Sequence, residues 1–203
     1  MYERNSIVLQ GTLVETPAFS HRVYGEGFYE LRMEVPRLSG QVDLLPLTVS
    51  ERMMEGVDLS PGREMGVSGQ VRSYNKILKG VSRLIITVFV RDFLEPGGTA
   101  VNQVELTGTL CKPPVYRMTP LNREISDLLL AVNRLGNKSD YIPSIAWGRN
   151  ARFAGGLKVG EHIHLEGRLQ SRVYQKVLED RVVERTAYEV SVSYLQLLEE
   201  NEL

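Results

Sequence analysis

Apolar and polar residues alternate with a period of two along much of this chain, as in β-strands whose two faces meet different surroundings. In residues 28–35, Leu31, Met33 and Val35 are separated by charged side chains. Residues 139–152 show a similar alternation and contain the only tryptophan of the chain. The pattern predicts an all-β protein assembled from short strands.

The sequence repeats itself at an offset of 97 residues, the distance from Asn5 to Asn102. The other pairs at this offset are Leu9 with Leu106, Gly11 with Gly108, Pro17 with Pro114, Arg37 with Arg134, Asp43 with Asp140 and Pro46 with Pro143. After one inserted residue the pairs are Gly62 with Gly160, Gly69 with Gly167 and Ser73 with Ser171, and residues 84–90 then align with 186–192. The chain therefore consists of two copies of one unit.

Between the copies, Pro96-Gly97-Gly98 is typical of a linker. The repeat and this linker together predict how the chain is divided. We predict an N-terminal domain at 1–95, a linker at 96–101, a C-terminal domain at 102–198 and a short acidic tail at 199–203.

Each copy has the strand order of an OB-fold, a small Greek-key barrel of five strands. In the first copy the predicted strands are 6–14, 28–36, 43–50, 64–74 and 82–93, with a helical turn at 51–57. Residues 125–132 could form a helix on their own pattern, but their counterpart 28–35 has strand periodicity, so we predict a strand there too. The predicted fold is all-β: two tandem OB barrels, each with a short helix between strands 3 and 4.

The net charge of -1 conceals an uneven distribution of charge. Residues 101–188 hold 13 Lys and Arg against 9 Asp and Glu, a balance of +4, whereas residues 189–203 hold four Glu and no basic residue. A nearly neutral chain can therefore carry a basic groove, because binding depends on where the charge lies.

Several classes of function lose support. The sequence has no apolar run long enough for a membrane span and no signal segment at its start, and Cys111, its single cysteine, cannot form an internal disulfide, so we expect a cytoplasmic protein. It has no phosphate-binding loop and no dinucleotide fingerprint. His162 and His164 share a strand face, but no third metal ligand is evident. We expect a protein that is not an enzyme and needs neither metal nor cofactor.

Two predicted strands of the second copy combine aromatic and basic side chains. Tyr141 and Trp147 have the same parity, so both rings point to one side of their strand. Arg168, Arg172 and Tyr174 share a parity along the fourth strand. Rings that stack on bases and guanidinium groups that contact phosphates are common means of binding single-stranded nucleic acid. The alternatives are rings in the core or at a subunit interface, and arginines on a solvated sheet face.

The second copy resembles the bacterial single-stranded DNA-binding protein (SSB) family over nearly all of residues 102–195. The segments that carry the resemblance are 102–108, Pro114, 131–134, 145–151, Val159-Gly160 and 166–174. Residues 5–93 resemble the family more faintly, through the repeat. The chain is therefore similar to a tandem-OB variant of this family.

The resemblance implies that rings stack on bases while basic residues hold the DNA backbone. By position, Tyr141, Trp147 and Tyr174 would be the stacking rings. The basic residues would come from the fourth strand, from the segment after Trp147, from the loop before the second strand and from the next turn: Arg168, Arg172, Lys176, Arg149, Arg117, Arg123, Arg134 and Lys138.

The first copy departs from this pattern. Leu44 stands where Tyr141 is in the second copy, and Ser50 stands where Trp147 is. The first copy keeps a few polar candidates on its fourth strand, namely Arg72, Tyr74 and Lys76. Either it holds a DNA backbone weakly, or it has become a structural half that pairs with the second.

The resemblance also bears on assembly. Family members typically assemble four OB domains, which implies a homodimer of this chain. They commonly end in a disordered linker and an acidic tip that recruits partners, and residues 195–203 are acidic but short, so recruitment through the tail is not expected.

The function expected from the sequence is non-enzymatic, largely sequence-independent binding of single-stranded DNA in replication, recombination or repair. One alternative is an OB-based protein-interaction or replication-restart assembly module. Another is binding of single-stranded RNA, because stacking and charge do not separate the two nucleic acids.

Overall fold

A computed structural model describes residues 4–78, 80–134, 136–178 and 181–198. The first half of the chain contains β1 (Asn5–Leu13), β2 (Ala18–Val23), β3 (Glu26–Pro36), β4 (Val42–Ser50), α1 (Glu51–Met54), β5 (Glu64–Leu78) and β6 (Val81–Leu94). The second half contains β7 (Val101–Leu110), β8 (Val115–Met118), β9 (Glu124–Arg134), β10 (Lys138–Trp147), α2 (Gly148–Gly155), β11 (His162–Leu178) and β12 (Arg181–Leu197). In the described part of the chain, neither helix has the length and apolar character needed to span a membrane.

Each half closes into a five-stranded barrel. In the first half β1 pairs with both β3 and β5, β3 pairs with β4, β4 runs parallel to β6, and β6 pairs with β5. The second half repeats these pairings with β7, β9, β10, β12 and β11. Leu31, Met33 and Val35 of β3 are buried inside the first barrel, as their alternation predicts. The predicted OB class is confirmed, including a strand rather than a helix at 125–132.

Three details differ from the prediction. The short edge strands β2 and β8 were not predicted, and β8 contains Arg117, which was expected in a loop. Strand β8 forms because β9 extends past the barrel and offers a free edge, to which Val115 and Tyr116 pair. The helical turn expected at 51–57 ends at Met54, because Glu55 is extended and Gly56 has a φ of 74°.

A pairing between β1 and β7 joins the two barrels into one twelve-stranded sheet. In this antiparallel register Ile7 lies opposite Val104, Asn5 opposite Leu106 and Leu9 opposite Asn102. Ile7 and Val104 are the same position in the two copies, so a pseudo-two-fold axis passes between them. The halves therefore associate as two identical chains would in a symmetric dimer.

Reciprocal hydrogen bonds lock the halves together on either side of this axis. Asp43 of β4 accepts hydrogen bonds from the Ser171 backbone N–H at 2.7 Å and from the Ser171 hydroxyl at 3.2 Å. In the contact related to this one by the pseudo-two-fold axis, Asp140 of β10 accepts a hydrogen bond from the Ser73 N–H at 2.7 Å. Both carboxylates are fully buried. The repeated Asp and Ser residues therefore hold the two copies against each other.

Asn5 supports the edge of the first barrel. Its amide group donates to the Val71 carbonyl at 2.8 Å and accepts from the Val71 N–H at 2.9 Å, which extends the β1–β5 ladder by one rung. We expect Asn5→Ala to lower the free energy of unfolding by about 1–3 kcal/mol, because both backbone groups of Val71 lose their partner. Urea denaturation measures this loss.

Asn102 makes the same two bonds to Leu169 in the second half, so Asn102→Ala should have a similar effect. Gln103→Ala is the matched control, since Gln103 is an exposed neighbour on β7. A loss for Asn5→Ala no larger than that for the control would contradict the structural role of this amide.

Candidate nucleic-acid interface

A groove of about 860 Å³ lies where the second barrel meets the first. Four residues predicted to bind nucleic acid line it together: Trp147, Arg123, Arg168 and Arg172. The first half contributes residues of the β3–β4 turn region, including Arg37. Within the described part of the chain, the lining includes four arginines and no Asp or Glu. The groove is thus a cationic surface with one large ring.

Trp147 is held in place by its indole nitrogen. Its Nε1 donates a hydrogen bond to Ser191 Oγ of β12 at 3.1 Å, and 36% of the residue stays exposed. Trp147 is the last residue of β10, and Gly148, with a φ of 53°, turns the chain directly into α2. A residue with a side chain would be strained at that φ, so glycine fixes the point where the strand ends. The ring is positioned, and part of it faces solvent.

Two further rings lie exposed on the second half. Tyr174 of β11 is 37% exposed, and the Arg172 guanidinium lies 5.6 Å from the centre of its ring. Arg172 also lies 3.5 Å from Glu189, a buried carboxylate on β12. Tyr141 is 44% exposed, and its backbone N–H donates to Ser73 of the first half. All three predicted rings are accessible to a ligand.

Arg168 and Arg37 approach the same buried carboxylate from the two halves. Arg37 makes two hydrogen bonds to Asp43, at 2.7 and 2.6 Å, and Arg168 Nη1 lies 3.7 Å from Asp43 Oδ2. Burial lowers the pKa of Arg168 below its ordinary value, nearby Arg37 lowers it further, and Asp43 opposes both. A guanidinium remains charged under these influences. Asp43 therefore offsets part of the positive charge at this end of the groove.

Sequence reasoning did not assign Arg37 to the site. The repeat matches Arg37 with Arg134, and of the two only Arg134, in the turn after the second strand of its copy, is a predicted site residue. The register between the halves brings Arg37 into the groove, and no local pattern shows that register. The match of Arg37 with Arg134 in the repeat was the feature of the sequence that could have identified Arg37 as a site residue.

Several other predicted cations are paired with carboxylates. Arg134 and Arg72 lie 3.7 and 3.6 Å from Asp140, and burial lowers the pKa of Arg72 below its ordinary value. Arg117 forms a bidentate pair with Asp127 at 2.8 and 3.3 Å. The structure gives these three arginines roles in holding strands or halves together. Their contribution to binding stays a prediction.

The remaining candidates are dispersed. Arg149 lies on α2, Lys138 at the start of β10 and Lys76 on β5, and all three are exposed. Tyr74 is 40% exposed, and burial together with nearby Glu30 raises the pKa of its hydroxyl. The backbone of Lys176 lies in β11, but its side chain is outside the described residues, as is the predicted acidic tail at 199–203.

The structure brings together a set of potential metal ligands that includes only one of the two histidines considered from the sequence, His164. Ligand atoms of Glu105, His164 and Glu166 lie within 4.8 Å of one another on the outer face of β7 and β11. Glu105 is distant in sequence and arrives through strand pairing. Arg4 already contacts Glu105 at 2.7 Å. His162 is directed elsewhere, with its Nδ1 3.0 Å from Thr109 Oγ1.

The sequence profile of the Single-strand binding protein family matches residues 101–198. Single-stranded DNA-binding protein A of Bacillus subtilis is 34% identical over 103 residues, which cover 47% of this chain and 60% of that protein. Single-stranded DNA-binding protein 1 of Lactococcus lactis is 32% identical over 108 residues, which cover 50% of this chain and 70% of that protein. The chain thus spans about 60% of the length of the first of these relatives.

A solved structure resembles the whole fold. A deletion mutant of the single-stranded DNA-binding protein from Thermus aquaticus superposes with a TM-score of 0.74 at 26% identity. The match covers 98% of this chain and 96% of that chain, so it includes both barrels and their arrangement.

Proposed function

This chain belongs to the single-strand binding protein family, and from that premise we propose that it binds single-stranded DNA, largely without sequence preference and without catalysing a reaction. The observation that carries the proposal is the groove that combines Trp147 with four arginines and reaches both halves. The curated relatives are named for binding single-stranded DNA.

Different residues of the groove contact the bases and the phosphates of the DNA. A base stacks on the exposed part of the Trp147 ring, whose hydrogen bond to Ser191 fixes it before the DNA arrives. Stacking needs only the π-face that every base has, so it tolerates any sequence. Arg123 and Arg172 are exposed and contact phosphates, while Arg168 reaches the strand from a half-buried position. Tyr174 and Tyr141 stack further bases.

We extend the proposal to domains and assembly. Residues 1–95 and 102–198 are the two OB units, connected by 96–101, and two chains pair to give four barrels. Light scattering should then give twice the chain mass of 22.9 kDa. A role in replication, recombination or repair follows from the ligand, as does a location in the cytoplasm, where a bacterial chromosome lies.

Titration with oligo-dT tests the ligand directly, since Trp147 is the only tryptophan and reports on its own site. We expect its fluorescence to be quenched, and we expect the affinity to fall with salt, with a log-log slope of about -0.7 for each phosphate contact. Oligo-rU and a DNA duplex are the comparison ligands. No binding of oligo-dT at low salt, with a fluorescence that responds to protein dilution instead, would overturn the proposal in favour of a protein-interaction module.

A further inference from the structure

The two barrels carry their outer ring on different strands. In the second half Trp147 at the end of β10 lies against Ser191 of β12. The parallel pairing of β4 with β6 has the same register as that of β10 with β12, which makes Ser50 the equivalent of Trp147 and Phe89 the equivalent of Ser191. Ring and serine have therefore exchanged strands.

This exchange explains why the first copy lacked a ring in the sequence comparison. The ring of the first copy stands on β6, at Phe89, and not at Ser50 on β4, the position that matches Trp147 in the sequence. Phe89 is partly exposed and points to the same outer face of the barrel as Ser50, because Val88 and Val90 on either side of it are buried.

Two guanidinium groups and a second ring surround Phe89. The carbon atoms of the Arg91 and Arg72 guanidinium groups lie 5.1 and 5.5 Å from the centre of the Phe89 ring. The Phe28 ring lies 5.8 Å away, and His21 stacks on Phe28 at 5.2 Å with an angle of 15° between the planes. The first half thus has a cluster of planar groups, which we term the Phe89 platform: His21, Phe28, Arg72, Phe89 and Arg91.

The Phe89 platform borders a groove of about 370 Å³ that is large enough for a base. Its described lining includes Phe28, Phe89, Arg52 and Arg91, and no Asp or Glu. Arg52 forms an ion pair with Glu26 at 2.8 Å, whereas Arg91, besides its contact with Phe89, donates one long hydrogen bond to Gln70 at 3.4 Å and has no ion pair among the described residues. Arg91 is therefore the cation best able to turn from the ring to a phosphate.

We propose that the Phe89 platform is a second binding site for single-stranded DNA, in which a base stacks on Phe89 and Arg91 contacts the adjoining phosphate. This inference rests on the proposed function. The Arg91 guanidinium lies over the Phe89 ring, and a base would take its place. A guanidinium and a nucleobase are both planar, so a ring face that accepts one can accept the other. The pseudo-two-fold axis then gives one chain two stacking sites of different construction.

Moving the tryptophan from position 147 to position 89 gives a test of the Phe89 platform that is independent of the test of the proposed function. In a Trp147→Phe background, Phe89→Trp places the only tryptophan on the platform, and excitation at about 295 nm selects its fluorescence over that of the tyrosines. We expect oligo-dT of about 35 nucleotides, which can span two barrels at roughly 4–16 nucleotides per barrel, to quench this reporter. Tyr24→Trp in the same background is the control, because Tyr24 is fully exposed in a turn, and its fluorescence should not change.

Affinity measurements give the second readout. Phe89→Ala should weaken binding of the long oligo-dT by about tenfold and Phe89→Tyr should restore it, since a tyrosine ring also stacks. If Trp147 of the unaltered chain is quenched while the Phe89→Trp reporter is not, the platform is structural and the inference fails alone. If neither is quenched, the proposed function fails with it.

Discussion

A variant in which Tyr141, Trp147 and Tyr174 are all replaced by alanine is expected to lose roughly a hundredfold or more in affinity for single-stranded DNA. Each ring contributes about 1–3 kcal/mol by stacking on its own base, so the three losses should largely add. The measurement is fluorescence anisotropy of a labelled oligo-dT, since the variant has no tryptophan of its own.

Tyr24→Ala is the matched control, because it removes an exposed ring from the tip of the first half. It should bind like the parent chain. The triple variant should also unfold close to the parent midpoint, since all three rings are more than a third exposed and leave no large cavity. An affinity within about threefold of the parent, in a folded variant, would show that these rings do not contact DNA.

Asp140→Ala is expected to lower the free energy of unfolding by about 3–5 kcal/mol, the usual cost of removing one partner from a buried ionic cluster. Asp140 is fully buried. Its carboxylate accepts a hydrogen bond from the Ser73 N–H and forms ion pairs with Arg72 and Arg134. Its loss leaves two guanidinium groups without their shared counter-charge and breaks one of the two reciprocal contacts between the halves. Chemical denaturation followed by circular dichroism measures the effect.

Asp127→Ala tests whether the large loss of stability expected for Asp140→Ala is due to the burial of that carboxylate. Asp127 also pairs with an arginine, Arg117, but both side chains are about half exposed, so the change should cost less than about 1 kcal/mol. Asp43→Ala, at the equivalent position of the first copy, should resemble Asp140→Ala. Equal and small losses for Asp140→Ala and Asp127→Ala would mean that the halves do not depend on this contact.

The alternation of apolar and polar residues along the sequence was enough to predict most of the strands. The alternation of Leu31, Met33 and Val35 with charged residues needs only the period of a pleated strand, and the repeat carried the same assignment to residues 125–132. The predicted helix between strands 3 and 4 is present in both halves, as α1 and α2. Strands β2 and β8 were missed because an edge strand depends on a neighbour with a free edge, which local pattern does not show.

The shared face of two candidate rings was predictable from the sequence, but their exposure was not, because the same alternation fits rings in the core or at an interface. Tyr141 and Trp147 share a strand face, and the structure leaves both of them accessible. What the periodicity could not show is that the Trp147 indole bonds to Ser191, because the parallel pairing of β10 with β12 joins segments distant in the chain. The ring at Phe89 was missed for the same reason.

The tertiary structure alone decided what the matched polar residues do. The sequence showed that Arg37, Asp43 and Ser73 recur as Arg134, Asp140 and Ser171, but it could not show that each Asp reaches the Ser of the other copy. That contact exists because β1 pairs with β7 about a pseudo-two-fold axis, and such pairing is selected by packing between distant surfaces. Strand periodicity is a property of neighbouring residues, whereas the partner of a buried charge is set by the whole fold.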